Sequence, residues 1–244
     1  MKGKCHKMPG SALKAGARKL IFKNSPRLLI ISIMYVVFIT VVSEFSFRLP
    51  FGNIVQDMTN QLAVGELPNI DVIFTGYRPV GLILALLLSF LRPLLNFGFM
   101  SFCLKTSRSQ NTDVKDLFNG FLFFTKVISI FFITSVLIFL WSLLLVIPGI
   151  VASYRYRQAY YILLDDPGKG ALQCIMESGL MMHGKKLDLL ILDISFLGWY
   201  LLDVIVGLLI PLPFAIPIIS IWLSPYIGLT RFAFYENQVS NVAV

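Results

Sequence analysis

The sequence predicts an all-α membrane protein: a polytopic helical bundle of about six transmembrane helices with short amphipathic helices lying in the interface. Three observations predict it. Hydrophobic residues make up 57% of the 244 residues and charged residues only 14%, where soluble domains carry about a quarter charged. Apolar runs lie near 28–47, 79–104, 122–147, 149–164, 187–210 and 212–235, most of them reaching the ~20 residues that cross a bilayer. Lys and Arg alternate from loop to loop as short cytoplasmic loops require.

That alternation sets the expected orientation. Lys2, Lys4, Lys7, Lys14, Arg18, Lys19, Lys23 and Arg27 precede the first span without a single acid. Lys105, Arg108 and Lys115 follow the second span, and Lys169, Lys185 and Lys186 follow the fourth. Loops 49–78, 147–149 and 210–213 are poor in positive charge and belong outside, which places both termini in the cytoplasm. The expected organisation is a basic cytoplasmic segment over 1–27, one transmembrane domain over 28–236 and a short cytoplasmic tail over 237–244. The apolar stretch from Leu28 is too long for a signal peptide's core, and no small-residue cleavage site follows it.

The net charge of +8 is concentrated in the N-terminal segment, where topology and anionic lipid headgroups account for it without nucleic acid. Cys5, Cys103 and Cys174 all fall on the cytoplasmic side, where thiols stay reduced, and they lack metal-site spacing.

Taken in order, residues 9–24 set Leu13, Ala17, Leu20 and Ile21 on one helical face and Lys14 and Arg18 on another, the pattern of an interfacial helix. Ser11 is its candidate cap. The first span ends at Glu44 and Arg48, spaced to pair on a helix surface. Pro50, Gly52, Pro68 and Gly76 mark 49–78 as a loop. The second span holds Arg92-Pro93, a costly charge beside a kink. Asp113 to Phe121 reads as an amphipathic helix with Val114, Leu117, Phe118 and Phe121 apolar and Asp113 or Thr112 as its cap. Pro148 and Gly149 predict a tight re-entry turn. A polar fourth span then carries Tyr154, Arg155, Tyr156, Arg157, Tyr160 and Tyr161. Asp165-Asp166-Pro167-Gly168 reads as a helix stop, with Asp capping the next amphipathic helix, whose apolar face is Leu172, Ile175, Met176 and Leu180. The fifth span carries Asp193 and Asp203, and the sixth is interrupted by Pro211, Pro213, Pro217 and Pro225. The order of amphipathic helix, outgoing span, turn and incoming span occurs three times, a pattern that parallel hairpins in a pseudo-threefold bundle would give.

The run from Asp116 to Glu236 contains DLFNGF, FLWSLLLVIPGI, AYYILLDDP, ESGLMMHGKK, ISFLGW and FAFYEN. In these motifs and their order the chain resembles the bacterial integral membrane family catalogued as domain of unknown function 975. The resemblance implies a six-span membrane protein and supplies no activity. This sequence departs from the family at Arg92, where relatives carry a small residue before Pro-Leu, and at Arg155 and Arg157.

The candidate binding residues are Arg92, Tyr154, Arg155, Arg157, Asp193 and Asp203. Counted at ~1.5 Å per residue, Arg155 and Asp203 fall at similar depths, and Arg92 and Asp193 both fall nearer the middle or inner half, so complementary pairing is feasible. Such charges either hold an anionic solute or lock helices together by neutralising one another. The Tyr–Arg run either grips a lipid phosphate or forms an interface belt. No catalytic fingerprint is present, and no metal or cofactor is expected. The expected role is a non-enzymatic accessory or assembly component in the cell membrane, engaging anionic lipids or a membrane-protein partner. The alternative is a small transporter or channel-like protein whose Arg/Asp/Tyr site takes an anionic or amphipathic solute.

Overall fold

The computed structural model describes residues 9–23, 25–65, 79–209 and 218–242. Among them every regular element is helical. Four stretches are long and apolar enough to cross a membrane, Pro26–Arg48, Val80–Ser107, Phe124–Leu144 and Lys186–Val206, consistent with a membrane protein. The runs at 149–164 and 212–235 are not among the four. The turn at 210–213 with Pro211, Pro213 and Pro217, the 66–78 part of the expected outer loop, and Lys2, Lys4, Cys5, His6 and Lys7 lie outside the described residues. The chain divides into two compact units, Val37–Pro93 and the remainder, Met1–Val36 with Leu94–Val244.

Into the smaller unit runs α2, Ser25–Ala63, a helix of 39 residues and therefore ~58 Å long. It continues to Ala63 through the first half of what the sequence marks as a loop. The apolar span ends at Arg48 without ending the helix, which runs on through Pro50 and Gly52. Gly65 stops it, at φ +81, with its N–H donating to the Leu62 carbonyl at 3.1 Å, a closing conformation that suits glycine. Arg48 donates to Glu44 at 2.8 Å, as their spacing predicts. The second run is two helices, α3 at Pro79–Ser89 and α4 at Leu91–Ser107. Pro93 explains the break: its ring clashes with the carbonyl four residues back, at Ser89.

The larger unit contains two cores. One gathers Leu13, Ala17 and Ile21 of α1 (Gly10–Lys23) with Phe99, Phe102, Leu223 and Phe234. The face predicted for the interface is thus turned into protein, against α12 (Ile218–Val242). The other core gathers Leu94, Phe97, Val127, Ile130, Tyr161, Ile162 and Phe232. Between apolar helices, close packing does what water exclusion does in soluble cores, and small residues permit it.

Residues 113–122 show this. Asp113 caps a 3₁₀ turn at Val114–Phe118, its carboxylate accepting from Val114 N at 2.7 Å while Asp116 accepts from Asp113 N at 2.9 Å. A short helix, α5, follows at Asn119–Leu122. A Cβ on Gly98 would sit 1.8 Å from the Leu117 carbonyl oxygen, and one on Gly120 would sit 2.0 Å from that of Leu94. Two backbones touch where only glycine allows it.

Next come α6 (Phe124–Leu144), α7 (Val146–Tyr156) and α8 (Ala159–Asp165). The re-entry turn lies at Leu145, which is extended at φ −165 and ψ 152. Pro148 and Gly149 fall inside the first turn of α7, where Pro costs no hydrogen bond. Gly149 serves the approach to α6, since its Cβ would meet Ser142 Oγ at 2.1 Å. After α8, Asp166 does not cap the next helix. Its Oδ1 accepts from Gly168 N at 3.1 Å, closing an Asx turn, and α9 (Ala171–Met181) starts at Gly170 without a side-chain cap. The face predicted as Leu172, Ile175, Met176 and Leu180 is divided: Cys174, Ile175 and Ser178 are buried, while Leu172, Met176 and Leu180 are exposed. The last outgoing run is α10 (Lys186–Ile194) and α11 (Leu197–Leu209).

Candidate functional site

Asp193, on the last turn of α10, gathers two of the other five predicted polar residues, Tyr154 and Arg157. Its side chain is only 13% exposed. Arg157, between α7 and α8, donates to Oδ2, and the Tyr154 hydroxyl donates to the same oxygen at 3.2 Å. Arg231 of α12 donates to Oδ1 through both Nε and Nη2, at 3.1 and 3.0 Å. The Arg157 guanidinium also lies over the Tyr154 ring, 5.3 Å from its centroid, where a cation meets the negative face of the π-system. Three elements therefore meet on one carboxylate. The group holds two guanidiniums against one acid, a surplus of one positive charge.

Arg231 is absent from the sequence-predicted set. The signal for it was present, since it is the only charged residue between Ile218 and Tyr235 and a charge in an apolar run invites a partner.

Of the two pairings that depth makes feasible, neither forms. Arg155 is exposed, with its guanidinium 5.7 Å from the Tyr156 ring centroid. Two residues further on, Arg157 pairs with Asp193. Asp203 of α11 accepts from Ile219 N at 3.1 Å and from the Ser220 hydroxyl at 2.5 Å, which makes it the cap for the first turn of α12. Arg92 donates to the Ser43 hydroxyl within the smaller unit. Depth counting ranks residues by distance along the bilayer normal and says nothing of the direction in which a side chain leaves its helix. The structure thus unites Tyr154, Arg157 and Asp193 and leaves Arg92, Arg155 and Asp203 elsewhere.

A second polar group lies about one helical turn further along α12. Arg108 pairs with Asp165 Oδ1 at 2.8 Å and with Glu236 Oε1 at 3.2 Å, and Tyr235 donates to Asp165 Oδ2 at 2.7 Å. Burial works against the Arg108 charge, but the hydrogen bonds and charges of Asp165 and Glu236 outweigh it and raise the pKa above the ordinary arginine value. Asp165, read in the sequence as a helix stop, does end α8 and also ties it to the C-terminal ends of α4 and α12. Cys103 and Cys174 are free and buried.

Residues 142–241 match the model of a family described as "Protein of unknown function (DUF975)", which bears out the family read from the motifs. No curated protein and no solved structure matches the chain.

Proposed function

We propose that this chain is a multi-pass integral membrane protein with both termini in the cytoplasm, acting without catalysis as an accessory component that engages the anionic headgroup layer. One observation carries the reading. Leu172, Met176 and Leu180 recur at four-residue intervals on α9 and are 64%, 70% and 77% exposed. Lys169 precedes this apolar ridge, and Lys185 and Lys186 follow it in the sequence. Apolar ridge plus flanking lysines is the composition of a helix lying in an anionic interface. Phe118, Phe121 and Leu122 are exposed in the same manner beside Lys115. The charges of the apolar runs favour this reading over transport: Asp193, Asp203 and Arg92 each have partners within the chain.

The test is a nitroxide scan of α9 in the full chain reconstituted into phosphatidylglycerol-containing vesicles. The M176C label is expected to collide with oxygen more readily than with a water-soluble nickel chelate, and the Q173C label to show the reverse. If both labels report water, the interfacial placement is refuted.

A further inference from the structure

We infer that the junction of α1 and α2 with the turn after α4 is a phosphate-binding pocket, taking the phosphodiester of an anionic lipid or free phosphate. This rests on the reading of the chain as a membrane protein at an anionic surface, and assigns that surface a discrete site.

A cavity of about 380 Å³ opens there, within the range that holds small ligands. Lys23 closes α1 and Arg27 lies in the first turn of α2, so two short-range neighbours bring two cations to one wall. Among the described residues no carboxylate lines the cavity. Among the described residues no ion pair takes up either cation. Asp113, the acid next to the cavity in sequence, accepts from Val114 N on its Oδ1.

The opposite wall is the turn from Ser109 to Thr112. Carbonyls ending a helix would compete with a ligand for the cations, but here the turn satisfies them. Arg108 N, Gln110 N and Ser109 N donate to the carbonyls of Leu104, Lys105 and Thr106 at 3.0, 2.9 and 3.2 Å. Ser109 takes φ 55 to achieve this. The amides of Gln110 and Asn111 and the hydroxyl of Thr112 remain on the lining as donors. Two cations and neutral donors without an acid suit phosphate oxygens.

The level of the pocket fits as well. The candidate spans begin at Pro26 and end at Ser107, both at its edge, so its mouth lies where apolar helix gives way to polar chain. Leu28 and Phe102 contribute the apolar part of its lining. A headgroup phosphate belongs at that height.

The experiment is native mass spectrometry of the full chain in detergent, titrated with dioleoyl phosphatidylglycerol and, separately, dioleoyl phosphatidylcholine. One phosphatidylglycerol is expected per chain. K23Q/R27Q is expected to weaken it roughly thirtyfold, while R18Q/K19Q, the same charge loss on the exposed side of α1, weakens it less than threefold. Should K23Q/R27Q fail to fold, K23Q alone serves, with roughly fivefold expected. Displacement by millimolar inorganic phosphate identifies the phosphate alone as the ligand; retention identifies the lipid. Equal weakening in both double variants, or wild-type binding by K23Q/R27Q, overturns the pocket while leaving the lipid reading in place. Equal binding of the two lipids overturns both.

Discussion

Replacing Asp193 with Asn tests the charge arithmetic of the central cluster. The amide keeps the shape of the carboxylate and removes its charge, leaving Arg157 and Arg231 facing each other with no acid between them. Breaking a buried ion pair by removing one member costs about 3–5 kcal/mol. The arginine side chains are 34% and 26% exposed, so partial solvation lowers the expected cost to about 2–3 kcal/mol. In a chain of this size each kcal/mol moves the midpoint by about 2–4 °C, so D193N should melt about 5–10 °C lower. R231Q removes the surplus cation and leaves Arg157 and Asp193 matched one to one, at a cost of about 1 kcal/mol and about 2–4 °C. The assay is thermal unfolding followed by a thiol-reactive fluorophore on C5S protein, in which the buried Cys103 and Cys174 report loss of structure. The asymmetry is the point of the test. If R231Q is as damaging as D193N, or D193N melts with wild type, the cluster is not held by its single acid.

G98A and G120A each force a methyl into a backbone carbonyl, at 1.8 and 2.0 Å, and are expected to abolish monodisperse folded protein in size-exclusion chromatography. G16A, with open space around its Cβ, should match wild type or melt slightly higher, since Ala favours helix by about 0.5–1 kcal/mol. D203A should cost about 1 kcal/mol through loss of the α12 cap, and D203N, which keeps an acceptor for Ile219 N and Ser220, a few tenths at most; equal midpoints for the two variants would rule out the capping role.

What the sequence revealed was what depends on local pattern. The helical class, four of the apolar runs, the Asp113 cap, the Glu44–Arg48 pair and the helical periodicity of α1 follow from spacing along one element, while the face of α1 expected in the interface packs into protein. The end of α2 did not, because Pro50 and Gly52 read as loop signals and both lie inside the helix. The re-entry turn was misplaced by one turn of helix, because Pro148 is compatible with a helix start and Gly149 answers to Ser142 on another helix. The candidate site was half legible. Tyr154, Arg157 and Asp193 were recognisable as costly side chains in apolar surroundings, but their partner Arg231 comes from 38 residues further along the chain than Asp193. Choosing between Arg155 and Arg157 requires the rotation of α7 about its axis, and that is set by packing against α6 and α10, which no local pattern encodes.

We propose that those packing choices follow the threefold order of elements read from the sequence. The incoming α4 is clamped by the 113–122 segment, through the two glycine contacts, Lys105 on Asp116 at 2.5 Å and Asn119 on the Ser101 hydroxyl at 2.9 Å. The incoming α7–α8 pair is clamped by α9, where the Ser178 hydroxyl donates to the Arg155 carbonyl at 2.8 Å and accepts from Gln158 N at 3.2 Å. The polar clamp residue stands just before a glycine in both, Asn119-Gly120 and Ser178-Gly179. The incoming α12 is clamped by α1, the amphipathic segment that begins the chain. Each incoming helix thus takes its support from the next amphipathic segment in order, and the last takes it from the first. Arg157 and Arg231 sit on successive incoming elements, and Asp193 on the outgoing run between them. A single acid at that place is shared by two arginines from different elements.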